Sequence, residues 1–107
     1  MTQVKKKEKI RGYLNSLKPQ FNQSGDTLSM TLHSGETKVG EMTFSIHITK
    51  GTIKPISQRV IQLTDVDTLE MIKEISQLVQ LTDKDVKVVR REILDYSRDL
   101  VNNYYSK

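Results

Sequence analysis

The chain has 107 residues, 36% hydrophobic and 28% charged, with a formal net charge of +4; that is the length of one small domain, residues 1–107, with a modest core. It has no cysteine, which removes disulfides, thiolate metal sites, cysteine nucleophiles and redox switching. No apolar run approaches the roughly 20 residues of a membrane span, and the N-terminal lysines precede no signal-like apolar stretch, so a soluble, cytoplasmic protein with no membrane partner is expected.

The first element, about residues 3–18, reads as a helix. Ile10, Tyr13, Leu14, Leu17 and Phe21 make one apolar stripe at helical spacing. Pro19 is expected to stop it, because the residue before a proline is pushed out of the α region. Asn22 to Asp26 reads as a polar loop. Alternation then begins, with Leu28, Met30 and Leu32 on one side and Thr27, Ser29, Thr31 and His33 on the other. That is a half-buried strand.

A turn at Ser34-Gly35-Glu36 leads to a second strand with Met42, Phe44, Ile46 and Ile48 inward. Parity constrains this hairpin. A two-residue turn at Ser34-Gly35 would oppose Leu28 with Glu41 and mix the faces. A three-residue loop, or a bulge at Gly40, keeps the apolar sides together. Lys50-Gly51 is the next expected turn, pairing Ile48 with Ile53 in a tight hairpin. Pro55 makes the third strand an edge or a broken one.

The phrase Gln-Leu-Thr-Asp-x-Asp occurs twice, at Gln62–Asp67 and Gln80–Asp85. Each copy precedes an apolar-periodic stretch, so each reads as a helix start with a threonine or aspartate cap. The first helix would run to about Val79 through Leu69, Ile72, Ile75 and Leu78. The second carries Val86, Val89, Ile93, Tyr96, Leu100 and Tyr104, widened by Leu94 and Val101. The expected fold is α+β in the order α-β-β-β-α-α: an N-terminal helix, a three-stranded antiparallel meander and two C-terminal helices.

Catalysis has little support. Glycine-rich phosphate loops, a nucleophile elbow and the zinc-binding His-Glu-x-x-His are all missing. His33 and His47 read as exposed strand residues rather than a metal pair. Asp65/Asp67 and Asp83/Asp85 read as caps rather than metal ligands, because the preceding threonine is explained only by capping. No metal, cofactor or enzymatic activity is expected.

The basic residues carry the functional reading. Residues 1–20 hold Lys5, Lys6, Lys7, Lys9, Arg11 and Lys18 against Glu8 alone. Lys50, Lys54 and Arg59 surround the second hairpin, and Arg90, Arg91 and Arg98 lie on the last helix. These groups could meet phosphates without reading sequence. Ile72–Ile93 has helix-turn-helix spacing, but Gln80 replaces the usual turn glycine. Asp83 and Asp85 would also repel phosphate at the start of the second helix.

The expected function is a small basic nucleic-acid-binding protein, on DNA before RNA, of the kind a phage or mobile element would carry. The alternative is an inhibitor or adaptor docking on a larger, nucleic-acid-processing enzyme, with Tyr96, Tyr104 and Tyr105 as anchors. A homodimer through the last helix is a further option.

Overall fold

The computed structural model describes residues 3–50 and 57–106. Helix α1 (Gln3–Ser16) is followed by strands β1 (Lys18–Ser24), β2 (Thr27–Ser34), β3 (Thr37–Lys50) and β4 (Ser57–Asp67), then helices α2 (Leu69–Leu78) and α3 (Asp83–Tyr105). The strands form one antiparallel sheet in the order β1-β2-β3-β4. The α+β class holds, and the meander has four strands rather than three.

The additional strand is β1. Its segment was expected to be a proline-stopped helix end and a polar loop. Instead Pro19 pairs with Leu32 and Phe21 with Met30. Proline lacks an N–H, yet an edge strand tolerates it because only one side is paired. The turn to β2 is Gly25-Asp26, with Gly25 at φ 59°. A side chain would be strained there, and glycine is not.

Alternation in β2 and β3 gives the expected faces. Leu28, Met30, Leu32, Met42, Phe44 and Ile46 are buried, with Met30 opposite Met42 and Leu28 opposite Phe44. The loop is the shorter one, Gly35-Glu36, with Ser34 opposite Thr37 and Gly35 at φ 63°. Parity is restored by a bulge. Leu32 pairs with Gly40 and His33 with Lys38, so Val39 is the inserted residue. A Cβ built on Gly40 would lie 2.5 Å from Met71 Sδ, so this glycine lets α2 sit close on the sheet.

The expected tight hairpin at Lys50-Gly51 does not form. Ile48 pairs with Arg59, not Ile53, and Lys50 pairs with Ser57. Ile53, Lys54 and Pro55 lie outside the described residues. A second bulge falls between Thr43 and Phe44, where Thr64 is inserted on β4 and its hydroxyl donates to the Thr43 carbonyl at 3.1 Å.

The largest correction concerns the repeated phrase. Gln62–Asp67 is the end of β4, with Asp67 opposite Glu41; it caps nothing through Thr64. Helix α2 begins later, with Thr68 as N-cap and no side-chain cap bond. Asp67 Oδ1 accepts from the Leu69 N–H at 3.3 Å. The second copy behaves as expected: Thr82 Oγ1 accepts from the Asp85 N–H at 3.2 Å and Asp85 Oδ2 from the Thr82 N–H at 2.9 Å. That reciprocal capping box satisfies two donors left unpaired by the first helical turn.

The helices cover one sheet face. Ile10, Leu14 and Leu17 from α1 and its exit, Met71 and Ile75 from α2, and Val89, Ile93 and Val101 from α3 meet the inward strand residues in one core. The fully buried line of α3 is Val89, Ile93, Ser97 and Val101, with Ser97 Oγ donating to the Ile93 carbonyl. Of the stripe expected from sequence, Val89, Ile93 and Val101 lie on this line, whereas Tyr96 and Leu100 pack partly buried to one side of it and Tyr104 is more exposed.

The radius of gyration is 15.9 Å, against about 13 Å for a compact chain of this length. The long β3–β4 ribbon accounts for the excess, extending beyond the helices and leaving Ile48 70% exposed.

Candidate nucleic-acid interface

Most charges of α3 are divided lengthwise; Asp83 and Asp95 stand outside the division, Asp95 four residues from Arg91 and three from Arg98. At about 100° per residue, Asp85, Glu92 and Asp99 fall on one flank, and Lys84, Lys87, Arg91 and Arg98 on the other. The buried line through Ile93 and Ser97 lies between the flanks on the sheet side. Arg90 sits between that line and the basic flank.

The acidic flank is occupied by α1. Lys6 Nζ lies 3.1 Å from Asp85 Oδ2, with side chains only 17% and 12% exposed. Lys7 Nζ is 3.4 Å from Glu92 Oε1, and Arg11 Nε is 3.8 Å from Glu92 Oε2. The Thr82 N–H and then the Lys6 ammonium hold the Asp85 carboxyl down at about 2. Tyr13 adds a fourth tie, its hydroxyl donating to Glu74 Oε1 of α2 at 2.5 Å. Burial, followed by that bond to the Glu74 carboxylate, raises the Tyr13 pKa well above the usual phenol range.

Much of the expected N-terminal basic cluster is therefore a clamp between helices. Lys5 and Lys9 lie exposed on α1, and Lys18 is exposed on β1. The fold does not gather Lys18 with the others: it pairs with His33 and belongs to the outer, polar sheet face.

The basic flank is different. Lys84, Lys87, Arg90, Arg91 and Arg98 are exposed, and none forms an ion pair among the described residues. Of these, Arg90 and Arg98 each border a cleft against edge strand β4. One, of about 350 Å³, is lined by Val66, Leu69, Ile72, Arg90 and Leu94, among others. The other, of about 640 Å³, has Phe44, Ile61, Leu63 and Val101 with Gln62, Thr64, Arg98 and Asn102 around it.

Aromatic contacts sit at the C-terminal end of α3. The Arg59 guanidinium lies 4.2 Å from the Tyr105 ring centroid, and the Tyr105 hydroxyl donates to Gln23 Oε1 at 3.2 Å. Burial, then the Tyr104 hydroxyl, raise the Tyr105 pKa, with Arg59 opposing. Tyr104 stacks on Phe21 at 4.5 Å and is 37% exposed. Tyr96 packs against the core, and its burial raises its pKa. The three tyrosines named from sequence as anchors are thus split between core, cation–π contact and surface.

Of the expected basic hairpin, only Arg59 is described with its side chain; the Lys50 side chain and all of Lys54 lie outside. His33 and His47 sit eight to nine residues apart along the β3 register, ~28 Å at about 3.3 Å per residue, so they share no site. Among the described residues no three His, Asp or Glu side chains gather in an arrangement that could hold a metal, and no helix is long and apolar enough to cross a membrane.

Sequence reading named Arg90, Arg91 and Arg98 but missed Lys84, Lys87 and the β4 clefts. The lysines were legible in the three-and-four spacing of cations along α3. The clefts were not, because they depend on where β4 lies. Compared with known proteins, the chain matches no family model, no curated protein and no solved structure.

Proposed function

We propose that this protein is a non-enzymatic nucleic-acid-binding module whose working surface is the basic flank of α3, with Arg59 at its far end. The observation that carries this reading is the charge division of α3. Asp85 and Glu92 on one flank are met by α1, while Lys84, Lys87, Arg90, Arg91 and Arg98 form no ion pair among the described residues. From Lys84 to Tyr105 the flank is ~30 Å long at about 1.5 Å per residue, enough to follow several phosphates. Such binding is driven by release of condensed counterions and falls steeply with salt. DNA is the first polymer to test, and RNA the second.

Fluorescence anisotropy with a labelled oligonucleotide at low salt provides the test. Binding should weaken as salt rises, and Arg90→Ala/Arg91→Ala/Arg98→Ala should weaken it at least about tenfold. Lys9→Ala should change it less than about twofold. Equal losses from both variants, or no binding at low salt, would refute the proposal.

A second reading rests on a different observation. Val4 and Val88 are 67% and 53% exposed, and they border a cleft of about 240 Å³ with Ile10, Leu81 and Val89. Exposed apolar side chains gathered in one place favour a protein partner, as an inhibitor or adaptor would need. Val88→Asp should then abolish recovery of that partner in a pull-down while leaving oligonucleotide binding intact.

A further inference from the structure

The larger cleft between β4 and α3 has a composition that phosphate contacts alone do not call for. Phe44, Ile61, Leu63 and Val101 give it an apolar floor, and Arg98 and Asn102 stand over that floor on α3. The Arg98 and Asn102 side chains make no hydrogen bond with any described residue. On its other side runs β4, an edge strand with no further strand beside it among the described residues.

An apolar floor beneath a few convergent polar groups is the usual make-up of a small-ligand site. The volume of about 640 Å³ falls within the roughly 300–1,000 Å³ typical of such sites. The basic flank supplies charge of the sign a phosphate chain needs, directly beside this cleft. A flat heterocycle attached to an anionic backbone satisfies both features. Its face would lie on Ile61 and Leu63, its polar edge would meet the Asn102 amide and the Arg98 guanidinium, and its phosphates would reach Arg90 and Arg91.

We infer that the β4–α3 cleft receives an unpaired base, making single-stranded nucleic acid the ligand of the basic flank. This rests on the nucleic-acid reading above and narrows it. A base within a duplex is stacked on its neighbours and paired along the edge that Asn102 would read, so it cannot enter a cleft between a strand and a helix. Sequence-tolerant single-strand binders combine these same two parts, a cationic track and surfaces on which bases stack.

The experiment compares three labelled oligonucleotides of equal length on the full chain at fixed low salt: a single strand, its duplex, and an abasic single strand with the same phosphates. The single strand should bind at least about tenfold more tightly than either of the others. Asn102→Leu and Asn102→Ala, which leave the charge unchanged, should each remove most of that preference while leaving affinity for the abasic strand within about twofold. Two variants are used so that a fold defect in one does not decide the result; both are checked by circular dichroism.

If the abasic strand or the duplex binds as tightly as the single strand, the cleft does not take a base and only the general phosphate reading survives. If the preference persists in both Asn102 variants, the cleft assignment is overturned. Absence of binding to all three refutes this inference together with the reading beneath it.

Discussion

Gln62–Asp67 and Gln80–Asp85 share five of six residues but adopt different structures. The first is extended and paired with β3 through its length, apart from the bulge at Thr64. The second is a capping box at the start of a 23-residue helix. Both threonines use their hydroxyls, one donating across a sheet to Thr43 and the other accepting from a helix N–H. The difference lies in what precedes and adjoins each phrase. Val60 and Ile61 continue a strand alternation into the first copy, and the edge of β3 offers it a ladder of hydrogen bonds. The second follows the C-terminus of α2, with no strand edge to join, and local capping is its best satisfaction of backbone donors. A helix-cap phrase therefore gives way wherever a sheet provides partners for the same groups.

This contrast can be broken most severely through the core. Met71 is fully buried beneath Gly40 and holds α2 where β4 ends. Met71→Ala should cost about 2–4 kcal/mol, read as a lowered urea midpoint. The next effect separates the two copies directly. Thr82→Ala removes a cap and should cost about 1–2 kcal/mol, whereas Thr64→Ala removes one exposed hydroxyl bond and should cost less than about 0.5 kcal/mol. Comparable losses in the two variants would show that both threonines hold equivalent structures.

A smaller, pH-dependent effect should belong to the second copy. The Asp85 carboxyl is held at about 2 in the fold, below its ordinary value of 3.8. A depressed carboxylate stabilises the folded state above its unfolded pKa, and that contribution is lost as pH falls through the folded value. Stability should decline from about pH 4 toward pH 2, and Asp85→Asn should flatten that limb in acid titration of the circular dichroism signal. An unchanged limb would refute this assignment.

The smallest effect tests the comparison itself. Val66→Lys makes the two phrases identical, yet β3 pairing should keep the first one extended. Stability should change by less than about 0.5 kcal/mol, since Val66 is already 43% exposed. Backbone chemical shifts at residues 62–67 should stay extended; helical values would show that the sixth residue pair, not the sheet, decides.

The candidate site repeats the same lesson in charge. A count of lysines favours the N-terminal segment, but Lys6, Lys7 and Arg11 face carboxylates on α3. Lys84, Lys87, Arg90, Arg91 and Arg98 of that helix form no such pair among the described residues. Lys6 and Asp85 are 79 residues apart in the chain, so nothing in their local sequence announces the pair. Ser97, a polar residue outside the apolar periodicity, occupies a fully buried position of α3 with its hydroxyl bonded to its own helix.

The sequence by itself determined the features that arise within a few residues. These are the alternation of β2 and β3, the amphipathic helices α2 and α3, the capping box at Thr82 and the lack of any thiol chemistry. Side-chain periodicity and first-turn hydrogen bonding are local properties, so they are legible in order along the chain. The tertiary structure alone decided the edge strand β1, the choice of a bulge over a longer loop between β2 and β3, the bulge at Thr64, the fate of the first repeated phrase and which cations remain available. Each depends on groups brought together from distant positions: a strand edge that supplies backbone partners, a sheet parity that must match across a ladder, and carboxylates on one helix that neutralise the lysines of another.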